Sequence, residues 1–182
     1  DIPVTVTTPD GKPLANAVVT LAAPPGAPRP SFGWKLEVTQ QNKTFAPFVL
    51  IAPVGGEVVF PNLDRFRHHV YSFSKGNRFE LELYGREEKR SVRMKAVGTA
   101  ALGCNIHDQM VAFIRVVDTP WAAKTDETGK AVLTDIPAGA TTLTVWHPYA
   151  KSKDQTVTVA LASDAATKGV SVAVSVAPHA GH

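Results

Sequence analysis

The sequence predicts an all-β protein. Runs rich in Val, Ile, Thr and aromatic residues recur roughly every 8 to 15 residues, separated by Gly, Pro, Asn and Asp. No apolar stripe of helical period runs beyond two turns. That spacing belongs to sandwiches or barrels and not to βαβ units.

Each element has its own reason. "IPVTVTTP" alternates and stops at Pro-Asp-Gly, and "NAVVTLAAP" is β-branched and apolar. "APPGAPRPSFG", Ala23–Gly33, holds four prolines in eleven residues and reads as an extended connection. "FVLIAPVGGEVVFPNLD" holds two short strands around Gly55-Gly56. "HHVYSFS", "FELELYG", "EKRSVRMKAVG" and "MVAFIRVVD" follow, with "REEKR" as either a short helical turn or a charged strand start. A second joint is expected near Asp118–Thr125, in "VVDTPWAAKTDETG". The strands "KAVLTDIPAG", "ATTLTVWHP", "DQTVTVAL" and "GVSVAVSVAP" complete the chain, and "APHAGH" reads as a frayed tail.

Composition excludes several classes. The 182 residues are 44% apolar and 19% charged, ordinary for a folded chain, and no run is long and apolar enough to span a membrane. The net charge of +3 and a pI near 9.1 are only mildly basic. Lys and Arg are scattered, and in "YGREEKRSVRMK" Glu87 and Glu88 interrupt them, so no nucleic-acid surface is expected. The balance would steer an acidic protein partner. A single cysteine rules out an intramolecular disulfide. The chain starts at Asp1 without Met and reads as a trimmed N-terminus.

The flanks belong together. "VTVTTPDGKPLANAVVTLAAP" resembles the opening of a carboxypeptidase regulatory-like (transthyretin-like) domain. "KTDETGKAVLTDIPAGATTLTVWHPYA" resembles its remainder, on Thr125-Asp126-x-x-Gly129, "IPAG" and "TLTVWHP". The resemblance implies one discontinuous β-sandwich, residues 1–23 and 120–182, interrupted by a domain at 24–119. The alternative is two tandem domains.

The middle segment carries the chemistry, in "GCNIHDQMVAF". Cys104, His107 and Met110 follow one another at intervals of three, in a chain with one Cys and two Met. Thiolate, imidazole and thioether together favour copper over zinc, because thioether adds little for zinc. A second histidine is then needed. The sources are His68, His69, His147 and the tail residues His179 and His182, and only the first two begin a strand in the same segment. A Cys104–His107 nucleophile pair is the catalytic alternative, but no glycine-rich oxyanion turn opening a helix follows Cys104. Met94 reads as core or surface and His147 as structural.

"GGEVVFPNLDRFRHHVYSFS" and "GCNIHDQMVAFIRV", in that order, resemble a cupredoxin of the plastocyanin and amicyanin type, over residues 32 to 118. The resemblance implies a Greek-key β-sandwich or barrel holding one Cu(I)/Cu(II) ion, with metal ligands His68, Cys104, His107 and Met110. Aligned on Val70, His68 takes the ligand position and His69 the position of the family's supporting Asn. Strand alternation lets only one of the two point inward. Leu102 stands where many members have an aromatic residue. Asn105, Asp108 and Gln109 are polar where related loops carry Pro or Phe. The resemblance further implies an exported, periplasmic electron carrier, not an enzyme, with redox proteins as partners and the edge of His107 as electron port. Two other readings use the same residues: a copper delivery or storage protein, and a β module with a degenerate site.

Overall fold

The computed structural model describes residues 1–104 and 110–178. Its first strands are β1 (Ile2–Thr7), β2 (Val18–Leu21), β3 (Thr39–Gln41), β4 (Thr44–Ala46), β5 (Val49–Pro53) and β6 (Glu57–Val59). There follow β7 (His68–Ser72), β8 (Phe79–Tyr84), β9 (Ser91–Arg93), β10 (Gly98–Gly103) and β11 (Val111–Val117). The last are β12 (Ala122–Lys124), β13 (Lys130–Leu133), β14 (Thr142–Trp146), β15 (Thr156–Ala160) and β16 (Val170–Ala173). Helix among the described residues is confined to one turn, α1 (Ala165–Lys168), and a 3-10 turn at Lys153–Gln155. The protein is all-β.

By packing, the chain forms two units, residues 1–28 with 119–182 and residues 29–118. Ala27 packs against the core of the first unit, so the connection leaves that unit a few residues later than residue 24. The expected joint near Asp118–Thr125 itself contains β12.

In the flanking unit, β1 lies between β13, antiparallel, and β16, parallel. A four-stranded antiparallel sheet runs β12-β2-β14-β15. Both sheets supply one apolar cluster, with Val4, Val6 and Leu133 from the first and Val19, Leu21, Leu143 and Val145 from the second. The alternation read in "IPVTVT" is the cause: Val4 and Val6 are buried while Thr5 and Thr7 stand half-exposed. In the turn Thr125-Asp126-x-x-Gly129, side chains hold the backbone. Thr125 Oγ1 donates to Leu14 O at 2.7 Å and accepts from Ala17 N at 3.0 Å. Asp126 Oδ1 accepts from Thr128 N and Lys130 N at 2.9 and 3.2 Å. Gly129 has φ +76°, and a Cβ there would stand 2.5 Å from Val6 O, so both conformation and space demand glycine. His147, expected to be structural, is buried, with Nε2 3.1 Å from Ala15 O and Nδ1 accepting from Tyr149 N.

In the middle unit, five strands run in the order β5-β11-β10-β7-β8, with β5 and β11 parallel and the other pairs antiparallel. The pairs β3–β4 and β6–β9 complete it. Val38, Phe45, Val58, Phe60, Val70, Met94, Ala112 and Ile114 form its core, which also takes in Cys104 and Met110. Met94 is fully buried. Three readings change in detail. "REEKR" is a turn and neither helix nor strand, with Glu88 N bonded to Gly85 O. "EKRSVRMKAVG" yields only the three residues of β9 before β10 opens at Gly98. Strand β11 begins at Val111, leaving Met110 outside it.

Candidate metal centre

Strand β7 sorts its side chains by alternation. His68, Val70 and Ser72 are fully buried and share the core face. His69, Tyr71 and Phe73 run outward, 8% exposed, half-buried and 59% exposed respectively. A register shift against β8 falls between His68 and Val70. His69 is turned to that side, with Nε2 3.0 Å from Glu80 Oε1, a close contact without hydrogen-bond alignment. Its ring packs at 5.7 Å on Tyr71. The neighbours thus have different surroundings: His68 packs into the core beside Cys104, and His69 is buried on the opposite face against Glu80 and Tyr71.

Strand β10 pairs with β7 through Leu102↔Ser72 and Gly103↔Tyr71, and one more step of that register sets Cys104 opposite Val70, two residues from His68. Cys104 Sγ lies 3.8 Å from His68 Nδ1, and both residues are buried. Gly103 and Val111 are paired across β10 and β11, so Cys104 and Met110 stand at the two feet of one connection. Met110 is 1% exposed and shares the core cluster with Cys104. Of the expected ligands, His68 and Cys104 are brought together and Met110 closes the same hairpin. His107 lies outside the described residues, as do Asn105, Asp108, Gln109, His179 and His182. Close approach also explains Gly103: a Cβ there would meet the Tyr71 ring at 2.6 Å.

The far nitrogen of His68 is held by a carboxylate. His68 Nε2 and Asp64 Oδ2 are 2.7 Å apart. Asp64 also accepts from Asn42 N at 2.6 Å and from Lys43 N at 3.1 Å. Its own amide donates to Asn62 Oδ1, and Asn62 Nδ2 donates to Phe66 O and Tyr84 O. Burial pushes the Asp64 carboxyl up, but the hydrogen bonds from His68, Lys43 N and Asn42 N outweigh it and hold it below the usual carboxylate range. An ionised carboxylate only accepts, so Nε2 carries a proton there, and Nδ1 is the nitrogen turned toward Cys104. Deeper in the core, burial pushes the Tyr84 hydroxyl up to about 12, against a hydrogen bond from Gln40, and that hydroxyl donates to Phe60 O at 2.8 Å.

This arrangement fits a metal. With metal–sulfur and metal–nitrogen bonds of about 2.3 and 2.0 Å, two ligands some 120° apart stand close to 3.8 Å from each other. A histidine ligand whose other nitrogen is held by a carboxylate is the usual outer support of a metal site. A buried thiol, imidazole and thioether are the soft donors that suit copper. Among the described residues no three of His, Cys, Asp and Glu cluster as a metal site.

Asp64 is the acid of the Asn-x-Asp in "NLDRFRH" that helps carry the resemblance, but the sequence alone assigns it no role at the site. The signal was present in Asn-x-Asp placed four residues before a histidine, but the amides that complete it come from Asn42 and Lys43.

No family model matches the chain, and no curated protein is significantly similar to it. Parts of it are similar to solved structures of copper proteins. A copper-containing nitrite reductase from Thermus scotoductus is 25% identical over 50% of this chain, with a TM-score of 0.44. This chain spans only 25% of that protein's length. A purple cupredoxin from Nitrosopumilus maritimus is 17% identical over 46% of this chain and 100% of its own, at 0.40. A point mutant of amicyanin in its reduced state is 17% identical over 54% of this chain and 98% of its own, at 0.43.

Proposed function

We propose that residues 29–118 hold one copper ion through His68, Cys104, His107 and Met110, and that the protein carries single electrons between redox proteins. The observation that carries this reading is the buried pair of His68 Nδ1 and Cys104 Sγ at 3.8 Å, with His68 locked from behind by Asp64. The ion would supply a one-electron Cu(I)/Cu(II) couple. Cys104 offers a thiolate, the strongest donor of the set. Asp64 keeps the proton on Nε2, so Nδ1 stays a ligand and the imidazole cannot swing. Met110 adds a weak thioether. Core packing by Val70, Leu102 and Ala112 excludes water, and strands on either side of the site resist rearrangement between oxidation states. Such a carrier needs no substrate pocket or catalytic base, and it is read as a non-enzyme working in the periplasm. Residues 1–28 and 119–182 are read as a carboxypeptidase regulatory-like β-sandwich into which the copper domain is inserted; the hydrogen bond from Thr119 Oγ1 to Leu21 O, where the chain leaves and returns, supports that.

The test is the absorption and EPR spectrum of the copper-loaded chain. Expected are one copper per chain and an intense visible thiolate-to-copper band, lost in Cys104→Ser. A band that survives Cys104→Ser sinks the assignment. A colourless protein that holds Cu(I) and yields it to a chelator would favour copper delivery instead.

A further inference from the structure

The loop between β6 and β7 carries a surface that metal binding does not use. Leu63 and Phe66 are exposed at 43% and 44%, a large apolar pair open to solvent. They border a depression of about 440 Å³ that Lys43, Arg65 and Arg86 also line. Lys43 Nζ lies 5.7 Å from the Phe66 ring centre. Arg86 donates through Nε and Nη2 to Leu63 O at 3.2 and 2.7 Å, which fixes the loop and keeps its charge at the rim. Arg67 is exposed on the same loop. Glu88 acts on Arg67 as well as on Arg90, so the acids nearby cancel these cations only in part. Asp64 is buried and engaged by two amides and His68. Glu88 pairs with Arg90, and Glu87 is the exposed acid beside Arg86.

An apolar centre ringed by charge is the anatomy of a protein-docking patch. Its position matters more. The Phe66 ring meets the His68 ring edge-on, with centroids 5.4 Å apart and planes at 68°. The patch is therefore in direct contact with a proposed copper ligand.

We infer that this patch docks an acidic one-electron redox protein, with the partner's carboxylates on Lys43, Arg65, Arg67 and Arg86 and an apolar contact on Leu63 and Phe66. The inference rests on the copper reading and names the partner of that site. Charge complementarity selects the partner, and a rim of exposed cations makes association fast and salt-sensitive.

The test is an amide NMR titration of the full metal-free chain with a flavodoxin, an acidic one-electron protein, in about 20 mM salt. Shifts are expected at residues 42–43, 63–67 and 86. The double variant Arg65→Glu/Arg67→Glu should bind at least roughly tenfold more weakly, and about 200 mM salt should do the same. Lys75→Glu/Lys95→Glu makes the same charge change at exposed cations elsewhere on the unit and should stay within about twofold. Shifts elsewhere, or equal losses in both double variants, overturn the patch. Hexacyanochromate(III) serves as a small trianion: if it binds the patch and flavodoxin does not, the site takes anions only and protein docking is wrong. Copper loading is read separately by the visible band. A chain that takes no copper but shows the shifts defeats the proposed function alone, and a copper-loaded chain without them defeats docking alone.

Discussion

The flanking unit and the middle unit bury different things. Inside the first are Val4, Val6, Val19, Leu21, Leu143 and Val145. Its buried polar residues, Thr119, Thr125 and His147, are spent on backbone groups at turns and strand ends. In the second, Asn62, Asp64 and His68 are buried in a connected chain that ends at a thiol. Burying a carboxylate and an imidazole is costly unless every lone pair and proton is engaged. The flanking unit shows what such a small β-core needs for stability alone, and it needs none of this. The polar chain holds one imidazole nitrogen of His68 toward Cys104.

Substitutions can break that contrast in order of size. Leu143→Ala, in the flanking core, should cost about 2–5 kcal/mol of that unit's stability. Chemical denaturation followed by tryptophan emission measures it, and the copper band should be untouched. Asp64→Asn should lower metal affinity about 10- to 100-fold, because the support of His68 weakens while the donors remain. Competition with a chelator gives the figure, and an unchanged affinity would mean that Asp64 serves folding alone. Thr125→Val should cost about 1–3 kcal/mol in the flanking unit by leaving Ala17 N unsatisfied. Its effect is read from the same denaturation curve, with no spectral change. His69→Ala should be smallest. It removes the ring whose Nε2 lies 3.0 Å from Glu80 Oε1, on the face of β7 opposite His68, and leaves the visible band in place. A band lost in His69→Ala would reverse the assignment of the two histidines.

The legible parts of the sequence were those where scarce chemistry or strict alternation speaks locally. Cys104 and Met110 stood out because the chain has so few sulfur residues. Strands β1, β7, β14 and β15 stood out by period. Strand β10 did not, since "GTAALG" is rich in residues of low β propensity and forms only because β7 and β11 pair on either side. Strands β3, β4 and β12, three residues each, are too short to show a period. The role of Asp64 was hidden for a different reason. A carboxylate becomes an anchor only when amides more than 20 positions away converge on it, and Asn42 N and Lys43 N lie 22 and 21 residues distant. Pairing of that kind is a property of the fold, invisible to any local window.

The staple between Leu21 and Thr119 spans 98 positions, and the bonds of Thr125 to Ala17 and Leu14 span 108 and 111. On a ribosome that order has a cost in time. Strands β1 and β2 emerge first, but their partners β12, β13, β14 and β16 are made last. At about 5–20 residues per second, β2 waits several seconds with its apolar face and backbone unpaired. The intervening residues can complete their own sheets in that interval. Chains truncated at residue 118 and released should therefore expose the β2 strand to chaperones while the middle unit folds.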